Sequence, residues 1–332
     1  MYIEDSILKQ ITFGYARAEH TEKGWCFHRY TQKQYDVFSE YYHYYTEPFF
    51  DGYFQRNCDT DTGISTDFHT DSGTVTFHIA DVVVPNEDAK ATPRPFTILV
   101  NGKRCITSDK PGVYMLQIRK NSRVTLCYPD YGRIYLGGIE VDDGATVTPH
   151  TFSKRWLALG DSITHGCGSE PICNYTVKTA LRYNIELMNW GNSGYVHNFR
   201  TIDGETPFKP DIITSAYGIN DFFRKPREDN LADTQAYYTA LRAAFPNTKI
   251  YCISPIWTAL LIGKENAEKR EFLYSIYDKI AAEHDITLID GSKLVPHDRK
   301  YFREDGVHPL DNGFHYYASR LGKILFEDEN NQ

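Results

Sequence analysis

Four short segments in the second half of the chain contain residue types that could together carry out acyl transfer. They supply a serine hydroxyl, glycines at which the backbone can approach a ligand, a side-chain amide, and a histidine with an aspartate three residues before it. A serine hydroxyl attacks an ester when a neutral imidazole takes its proton, and a carboxylate that fixes the imidazole tautomer helps that step. The segments are 160–163 (GDSI), 191–194 (GNSG), 218–221 (GIND) and 305–309 (DGVHP).

Short apolar runs that alternate with amphipathic helices predict a parallel β-sheet in the same half of the chain. Helical spacing of apolar residues is clear in the segment 273–280 and in a final segment, 314–325. In such a doubly wound sheet the ligand site lies outside the carboxyl ends of the strands. Three of the four segments directly follow a predicted strand, so the sheet would bring them together. The predicted strands are 156–159, 185–190, 211–217, 249–254 and 286–289.

The first ~145 residues predict β-structure, because short alternating segments are separated by turn residues. The run 96–100 leads into Asn101-Gly102, a pair typical of a two-residue hairpin turn. Several short antiparallel strands at this spacing predict a β-sandwich with a jelly-roll-like arrangement. The pattern changes after a polar stretch at 142–146. We therefore predict an accessory β-domain at 1–150 and a catalytic domain at 151–332.

One helix is predicted within the β-rich part. A capping box at 31–34 (TQKQ) is followed by aromatic residues at helical spacing until Pro48. Residues 35–54 contain ten aromatic residues in twenty positions. Such rings can stack on sugars, but we favour packing in the sandwich core, at the contact with the second domain or at an oligomer contact.

In order and spacing, the four segments resemble the sequence blocks of the SGNH, or GDSL-type, esterase and lipase superfamily, over roughly residues 153–326. The resemblance implies a flavodoxin-like, doubly wound α/β domain with five parallel strands. It also implies that Ser162 is the nucleophile, His308 the general base and Asp305 the carboxylate that orients the imidazole. The implied oxyanion donors are the backbone N–H groups of Ser162 and Gly194 and the side-chain amide of Asn220.

Other interpretations of single residues stay open from the sequence alone. Ser162 could instead be the N-cap of a helix, although the other three segments favour a nucleophile. Asp161 and Asp221 are interpreted as structural residues that bond loop backbone. Some relatives with this fold work with a backbone carbonyl in place of the carboxylate. We therefore expect the loss of Asp305 to be partly tolerated.

Four histidines lie near the predicted site in sequence: His165, His197, His297 and His308. Of these, His308 has both an aspartate three residues before it and a place in one of the blocks. We interpret His165 and His197 as residues of the site wall. His165 and Trp257, which follows the fourth predicted strand, are our predicted substrate-binding residues.

The sequence predicts no cofactor and no metal. Ser162 does not lie in a Gly-x-Ser-x-Gly motif, so the nucleophile elbow of α/β-hydrolases is not supported. Gly166-Cys167-Gly168 lacks the third glycine of a dinucleotide fingerprint and the lysine of a phosphate loop. The seven cysteines are scattered without a Cys-x-x-Cys pair, so we expect free thiols rather than a disulfide framework or a zinc site.

Charge and hydropathy limit the partners and the location. The formal net charge of −8 disfavours nucleic acid and anionic membranes. No basic segment followed by an apolar one begins the sequence, and no apolar run approaches the ~20 residues of a membrane helix. We therefore expect a cytoplasmic protein that acts on a small acyl ester or an acetylated oligosaccharide. A homo-oligomer is left open.

A β-rich domain ahead of the catalytic domain resembles the arrangement of bacterial carbohydrate esterases that remove acetyl groups from plant polysaccharides. The sequence therefore predicts a serine esterase that hydrolyses acetyl or other short-chain esters of carbohydrates or glycosides. Two alternatives remain. One is a lipase or thioesterase of the same superfamily that acts on other acyl esters, and the other is a carbohydrate-binding protein without catalytic activity.

Overall fold

The computed structural model describes residues 1–40, 42–87, 95–259, 261, 263 and 266–327. The amino-terminal part forms two antiparallel sheets, and the carboxy-terminal part forms one parallel sheet with helices. The strands of the first part are β1 (Thr12–Phe13), β2 (Arg17–Thr21), β3 (Gly24–His28), β4 (Ser65–Thr70), β5 (Thr74–Val83), β6 (Phe96–Val100), β7 (Lys103–Ser108), β8 (Gly112–Gln117), β9 (Ser122–Cys127), β10 (Arg133–Val141) and β11 (Val147–Pro149).

The two antiparallel sheets enclose one hydrophobic core. One sheet has the order β1-β4-β9-β6-β7 with β11 beside β4, and the other has the order β2-β3-β10-β5-β8. Alternate residues such as Phe77 of β5 and Ile98 of β6 are fully buried in the same cluster. The predicted antiparallel sheets are therefore confirmed, while the jelly-roll connectivity stays a prediction. The hairpin turn is also confirmed, because Asn101 and Gly102 both have left-handed φ angles, 50° and 74°.

Three short α-helices belong to this part: α1 (Asp5–Gln10), α2 (Gln32–Ser39) and α3 (Tyr53–Cys58). The capping box is confirmed, because the side chains of Thr31 and Gln34 each accept the other's backbone N–H. The predicted continuation of this helix to Pro48 is wrong. The chain becomes extended at Glu40, and Tyr42 and Tyr45 pack on Tyr195 of the carboxy-terminal part. Tertiary contacts outweigh the weak helix preference of aromatic residues. Residue 41 lies outside the described part of the chain.

The parallel sheet has the order β13-β12-β14-β15-β16 and confirms all five predicted strands. These strands are β12 (Lys154–Gly160), β13 (Ile185–Gly191), β14 (Ile212–Ala216), β15 (Lys249–Ile253) and β16 (Thr287–Ile289). The helices are α4 (Ser162–His165), α5 (Tyr175–Tyr183), α6 (Ile219–Arg224), α7 (Arg227–Ala244), α8 (Ala267–His284) and α9 (Asp311–Phe326), and short 3-10 helices cover Pro48–Phe50, Phe199–Thr201, Gly291–Lys293 and Arg299–Tyr301.

Helices cover both faces of this sheet, as expected for a doubly wound fold. Trp156 and Ala158 of β12 are buried in the cluster that contains α5 and α9. Leu157 and Leu159 of the same strand are buried in the cluster that contains α7 and α8. Successive residues of β12 therefore pack into the cores on opposite faces of the sheet. Because both faces are buried, the strand is a continuous apolar run in the sequence.

Aromatic side chains join the two parts of the chain. The ring of Tyr45 stacks on that of Tyr195 with centroids 6.1 Å apart, and Phe54 meets Tyr195 edge to face at 4.7 Å. Tyr30 stacks on Trp190 at 6.3 Å. The interpretation of the aromatic segment 35–54 as packing against the second part of the chain is confirmed for Tyr45 and Phe54. None of the described helices combines the length and hydrophobicity that a membrane span requires.

Candidate active site

Ser162 lies at the carboxyl end of β12, in the first turn of the short helix α4. Asp161 caps this helix, because its Oδ1 accepts the backbone N–H of Ile163 at 3.0 Å. The alternative in which Ser162 is only an N-cap is therefore wrong. Its Oγ instead lies 2.7 Å from Nε2 of His308.

Two glycines let α4 pack directly on the ends of the strands. A Cβ at Gly160 would lie 2.1 Å from Oγ1 of Thr164, and one at Gly191 would lie 2.4 Å from the backbone N of His165. Real carbon atoms do not approach so closely, so both positions require glycine for steric reasons. The glycines seen in two of the sequence segments thus place the serine against the sheet.

Ser162, His308 and Asp305 form one chain of hydrogen bonds. The Ser162 hydroxyl donates to Nε2 of His308, and Nδ1–H of His308 donates to Oδ2 of Asp305 at 2.9 Å. The other carboxylate oxygen of Asp305 accepts the backbone N–H groups of Val307 and His308 at 2.8 and 3.0 Å. This arrangement fixes the imidazole tautomer that can take a proton from the serine.

The three other histidines near the site in sequence lie elsewhere. His197 pairs with Asp221 at 3.2 Å, and Nε2 of His297 lies 2.6 Å from the carbonyl oxygen of Ser292. His165 is fully buried beside Thr60. Of the four, His308 is the histidine that contacts Ser162.

The pKa of His308 is raised above its ordinary value of 6.5. Burial alone would lower this pKa, but the Cys167 thiol and the Asp305 carboxylate both lie beside the ring and raise it. Burial would raise the pKa of Asp305, but hydrogen bonds from His308 and Val307 hold it below its ordinary value. Cys167 was not predicted as a neighbour of the imidazole, although the thiol lies five positions after Ser162.

These shifts predict the pH dependence of ester hydrolysis. The general base must be neutral, so kcat/KM for 4-nitrophenyl acetate should rise with pH through an apparent pKa above 6.5. Cys167→Ala removes a group that favours the protonated imidazole, so the rise should move to lower pH. Rates measured between about pH 5 and pH 10 check both points.

Cys173→Ala is the matched control, because Cys173 is also partly exposed and lies in the same stretch of chain. It should leave the apparent pKa unchanged. An unchanged or higher apparent pKa in Cys167→Ala would contradict the role of the thiol.

The predicted oxyanion donors lie at the ends of three neighbouring strands. Gly194 follows β13 and has a φ of +79°, a conformation that favours glycine. A Cβ there would meet Phe54 and Tyr53 at ordinary distances of 3.7 and 3.9 Å, so backbone conformation rather than space explains the glycine. The amide of Asn220 donates to the carbonyl oxygen of Tyr195 at 3.1 Å. Their roles as oxyanion donors stay predictions.

A buried ionic cluster holds the helix that carries Asn220. Asp221 lies 3.1 Å from Nζ of Lys225 and 3.2 Å from Nδ1 of His197, and all three side chains are fully buried. Burial would raise the pKa of Asp221, but His197 and Lys225 hold it well below its ordinary value. Asp221 also accepts the backbone N–H of His197 at 3.1 Å, so its predicted structural role is confirmed.

His165 does not line the substrate side of the site. Its Nε2 lies 2.8 Å from Oγ1 of Thr60 and 3.3 Å from Nη2 of Arg29, and its ring stacks on Tyr131 at 3.8 Å. The side chain is fully buried between the two parts of the chain. The prediction of His165 as a substrate-binding residue is wrong. Its partners Arg29, Thr60 and Tyr131 all lie more than 30 positions before it, so the local sequence did not reveal them.

Trp257 is placed beside the loop that contains Asp305. It is partly exposed, stacks on His297 at 5.6 Å, and lines a cavity of about 660 Å³. The backbone N–H of Ala259 donates to the carbonyl oxygen of Gly306 at 3.1 Å, which ties the two loops together. The other residues that line this cavity are Ser254, Thr258, Leu261, Arg270, Tyr274, Asp278, Leu288, Asp290 and Ser292.

One group of described residues has a composition that could suit a metal ion. Glu19, Cys26 and His28 bring potential ligand atoms within 4.8 Å of one another. However, the guanidinium of Arg133 lies 3.2 Å from Nδ1 of His28 and can only donate. A neutral imidazole that accepts at Nδ1 carries its proton on Nε2, the nitrogen that faces Cys26 and Glu19. We therefore assign no metal to this group.

Sequence comparison identifies the part of the chain that contains the candidate site. Residues 158–315 match the sequence model of the GDSL-like lipase/acylhydrolase family. A search of curated proteins finds no match to the chain.

Solved structures share the fold at low sequence identity. A salicylyl-acyltransferase from a tetracycline biosynthetic pathway has a TM-score of 0.74 and 17% identity, over 95% of this chain and 94% of the other. A protein from Bacteroides ovatus described as a GDSL-like lipase has a TM-score of 0.65 and 17% identity, over 97% and 95%. A carbohydrate esterase family 2 enzyme with a carbohydrate-binding domain, from Corynascus thermopiles (Myceliophthora fergusii), has a TM-score of 0.63 and 16% identity, over 80% and 93%.

Proposed function

We propose that this chain is a carboxylic ester hydrolase that removes acetyl or other short acyl groups from carbohydrate or glycoside esters, because residues 158–315 match the GDSL-like lipase/acylhydrolase family. The observation that carries the proposed mechanism is the 2.7 Å contact between Oγ of Ser162 and Nε2 of His308. That distance lies within the reach required for a general base to take the serine proton.

In this mechanism Oγ of Ser162 attacks the ester carbonyl carbon while Nε2 of His308 takes the proton. Asp305 stabilises the imidazolium that forms. The N–H groups of Ser162 and Gly194 and the amide of Asn220 hold the negative oxygen of the tetrahedral intermediate. The C–O bond to the alcohol then breaks, and the alcohol leaves with the proton from His308. Water attacks the acyl-enzyme with the same base, which releases the acid and restores the serine.

A carbohydrate alcohol is supported by the position and chemistry of Trp257. The cavity beside it combines aromatic side chains with an arginine, two aspartates and hydroxyl groups. Sugars offer both C–H faces that stack on aromatic rings and hydroxyl groups that hydrogen-bond to charged side chains. The structures that share this fold include a carbohydrate esterase and an acyltransferase. Both reactions consume the ester, but only hydrolysis releases free acetate. An assay of free acetate therefore distinguishes hydrolysis from transfer of the acyl group to another alcohol.

The proposal is tested with a panel of acetylated sugars and oligosaccharides, with acetate release as the measurement. A series of 4-nitrophenyl esters from acetyl to decanoyl tests the acyl preference, and we expect the shortest chains to react fastest. A preference for long chains would support the lipase or thioesterase alternative. Tight sugar binding without acetate release from any member of the panel would support a binding protein instead.

Trp257→Ala is expected to raise KM for acetylated sugars by about 3- to 10-fold, because loss of an aromatic contact costs roughly 0.5–1.5 kcal/mol. The rate with 4-nitrophenyl acetate, which has no sugar, should stay close to that of the wild type. Trp25→Ala is the matched control, since Trp25 is a partly exposed tryptophan in the first domain. Equal effects of Trp257→Ala on both substrates would contradict sugar contact at this residue.

A further inference from the structure

The turn 191–194, called the oxyanion loop here, is bonded to the amino-terminal domain through the side chain of Asn192. Its Nδ2 donates to the carbonyl oxygen of Phe54 at 3.0 Å, and its Oδ1 accepts from Nδ2 of Asn57 at 3.0 Å. Nδ2 of Asn57 also lies 3.4 Å from the carbonyl oxygen of Ser193. These contacts join residues more than 130 positions apart in the sequence.

The same domain controls the orientation of the peptide group that contains the predicted oxyanion donor. The carbonyl of Ser193 and the N–H of Gly194 belong to one planar trans peptide, so they point in opposite directions. The contact of Asn57 with the Ser193 carbonyl therefore directs the Gly194 N–H away from the first domain. The hydroxyl of Tyr45 fixes the next peptide group, because it donates to the carbonyl oxygen of Gly194 at 2.5 Å.

Arg29 ties the base of the loop to the first domain. Its guanidinium is fully buried, and its Nη1 donates to the carbonyl oxygens of Asn189 and Gly191 at 2.7 and 3.1 Å. Its Nε donates to the carbonyl oxygen of Thr60 at 2.9 Å. Its Nη2 donates to the carbonyl oxygen of Asn57 at 2.9 Å and to Oγ1 of Thr60 at 2.8 Å. All five N–H donors are thus used, and a lysine could not reproduce this planar fork.

We propose that Arg29, Asn57 and Tyr45 are positioning residues for the oxyanion hole, so that the amino-terminal domain is part of the catalytic apparatus. The inference rests on the proposed function, in which the Gly194 N–H binds the negative oxygen. The three side chains act through the loop and not on the substrate. Each residue of the loop bonds to one of them through a carbonyl or side-chain oxygen.

The mildest test is Tyr45→Phe, which removes one hydroxyl and keeps the ring. We expect kcat for 4-nitrophenyl acetate to fall about 10-fold with KM unchanged, because a displaced donor weakens binding of the transition state and not of the substrate. Tyr128→Phe is the matched control. Both tyrosines are 5% exposed, and the Tyr128 hydroxyl is also hydrogen-bonded, to Oγ1 of Thr66 at 3.1 Å in the sandwich core. The control should keep the wild-type kcat.

Asn57→Asp is the stronger test, because it keeps the shape of the side chain and removes both donors to the loop. We expect a loss in kcat of about 10²-fold, close to the effect of removing one oxyanion donor. A boronic acid that forms a tetrahedral adduct with the serine should bind more weakly in both variants, in proportion to their loss in kcat/KM. A merely structural role would not produce this proportionality.

Wild-type kcat and boronic acid affinity in folded Tyr45→Phe would overturn the inference, whether or not Asn57→Asp folds. So would a kcat loss in Tyr128→Phe equal to that in Tyr45→Phe. The proposed function fails separately, if Ser162→Ala keeps the wild-type rate. A serine-dependent enzyme that is insensitive to Tyr45 and Asn57 would refute the positioning role alone.

Discussion

Ser162→Ala is expected to lower kcat for ester hydrolysis by a factor on the order of 10⁶, as the loss of a serine nucleophile does in enzymes of this chemistry. The alanine cannot form an acyl-enzyme, and the remaining oxyanion donors can only assist direct attack by water. Stability should change little, because the hydroxyl contacts the partly exposed His308 and water can take its place. The measurement is the steady-state rate with 4-nitrophenyl acetate, together with a thermal melt.

Ser122→Ala is the control for this variant. Ser122 is also buried, and it lies in β9 of the first domain, where its Oγ accepts from Asn101. It should keep the wild-type rate. A Ser162→Ala enzyme as active as the Ser122→Ala enzyme would show that the nucleophile is another residue.

His308→Ala is expected to lower kcat by a similar factor, on the order of 10⁶, because the serine and the base act as a unit. The double variant Ser162→Ala/His308→Ala should therefore be no slower than either single variant. Asp305→Asn should cost less, about 10²- to 10⁴-fold, because the Asp305 side chain is 43% exposed and water can partly replace its contact with the imidazole.

His284→Gln, at the end of α8, is the control and should leave the rate unchanged. Independent, multiplying losses in the double variant would contradict a shared mechanism for Ser162 and His308. An Asp305→Asn variant as slow as His308→Ala would contradict the partial tolerance expected at this position.

The parallel half of the fold could be predicted because its signals are local. Apolar strands, amphipathic helices and the four polar segments all lie within short windows of the sequence. The rule that sites form at the carboxyl ends of parallel strands then brings the segments together. The pairing of Ser162 with His308 came instead from the resemblance to the SGNH sequence blocks, and the two side chains are in contact although 146 positions separate them.

The contacts between the two domains could not be predicted, because they depend on how one domain docks on the other. Nothing local marks Arg29 or Asn57 as partners of the oxyanion loop. The same docking buries His165 and ends helix α2 at Ser39 by drawing Tyr45 onto Tyr195. In each case a tertiary contact outweighs the pattern that the segment shows by itself.

The proposed positioning role would give residues 1–150 more than the accessory function predicted from the sequence. Buried contacts from Arg29, Asn57 and Tyr45 reach the loop that contains a predicted oxyanion donor. If these side chains position that loop, a carboxy-terminal fragment would keep Ser162 and His308 and would still lose most of its activity. The first domain would then be required for catalysis and not only for substrate binding.

Labelling with a fluorophosphonate, followed by mass mapping of the modified peptide, shows which residue of the chain is the nucleophile. We expect one adduct per chain, on the peptide that contains Ser162, with no adduct in Ser162→Ala and much slower labelling in His308→Ala. An adduct on another residue, such as Cys167, or equal labelling of Ser162→Ala, would contradict the assignment of Ser162 as the nucleophile.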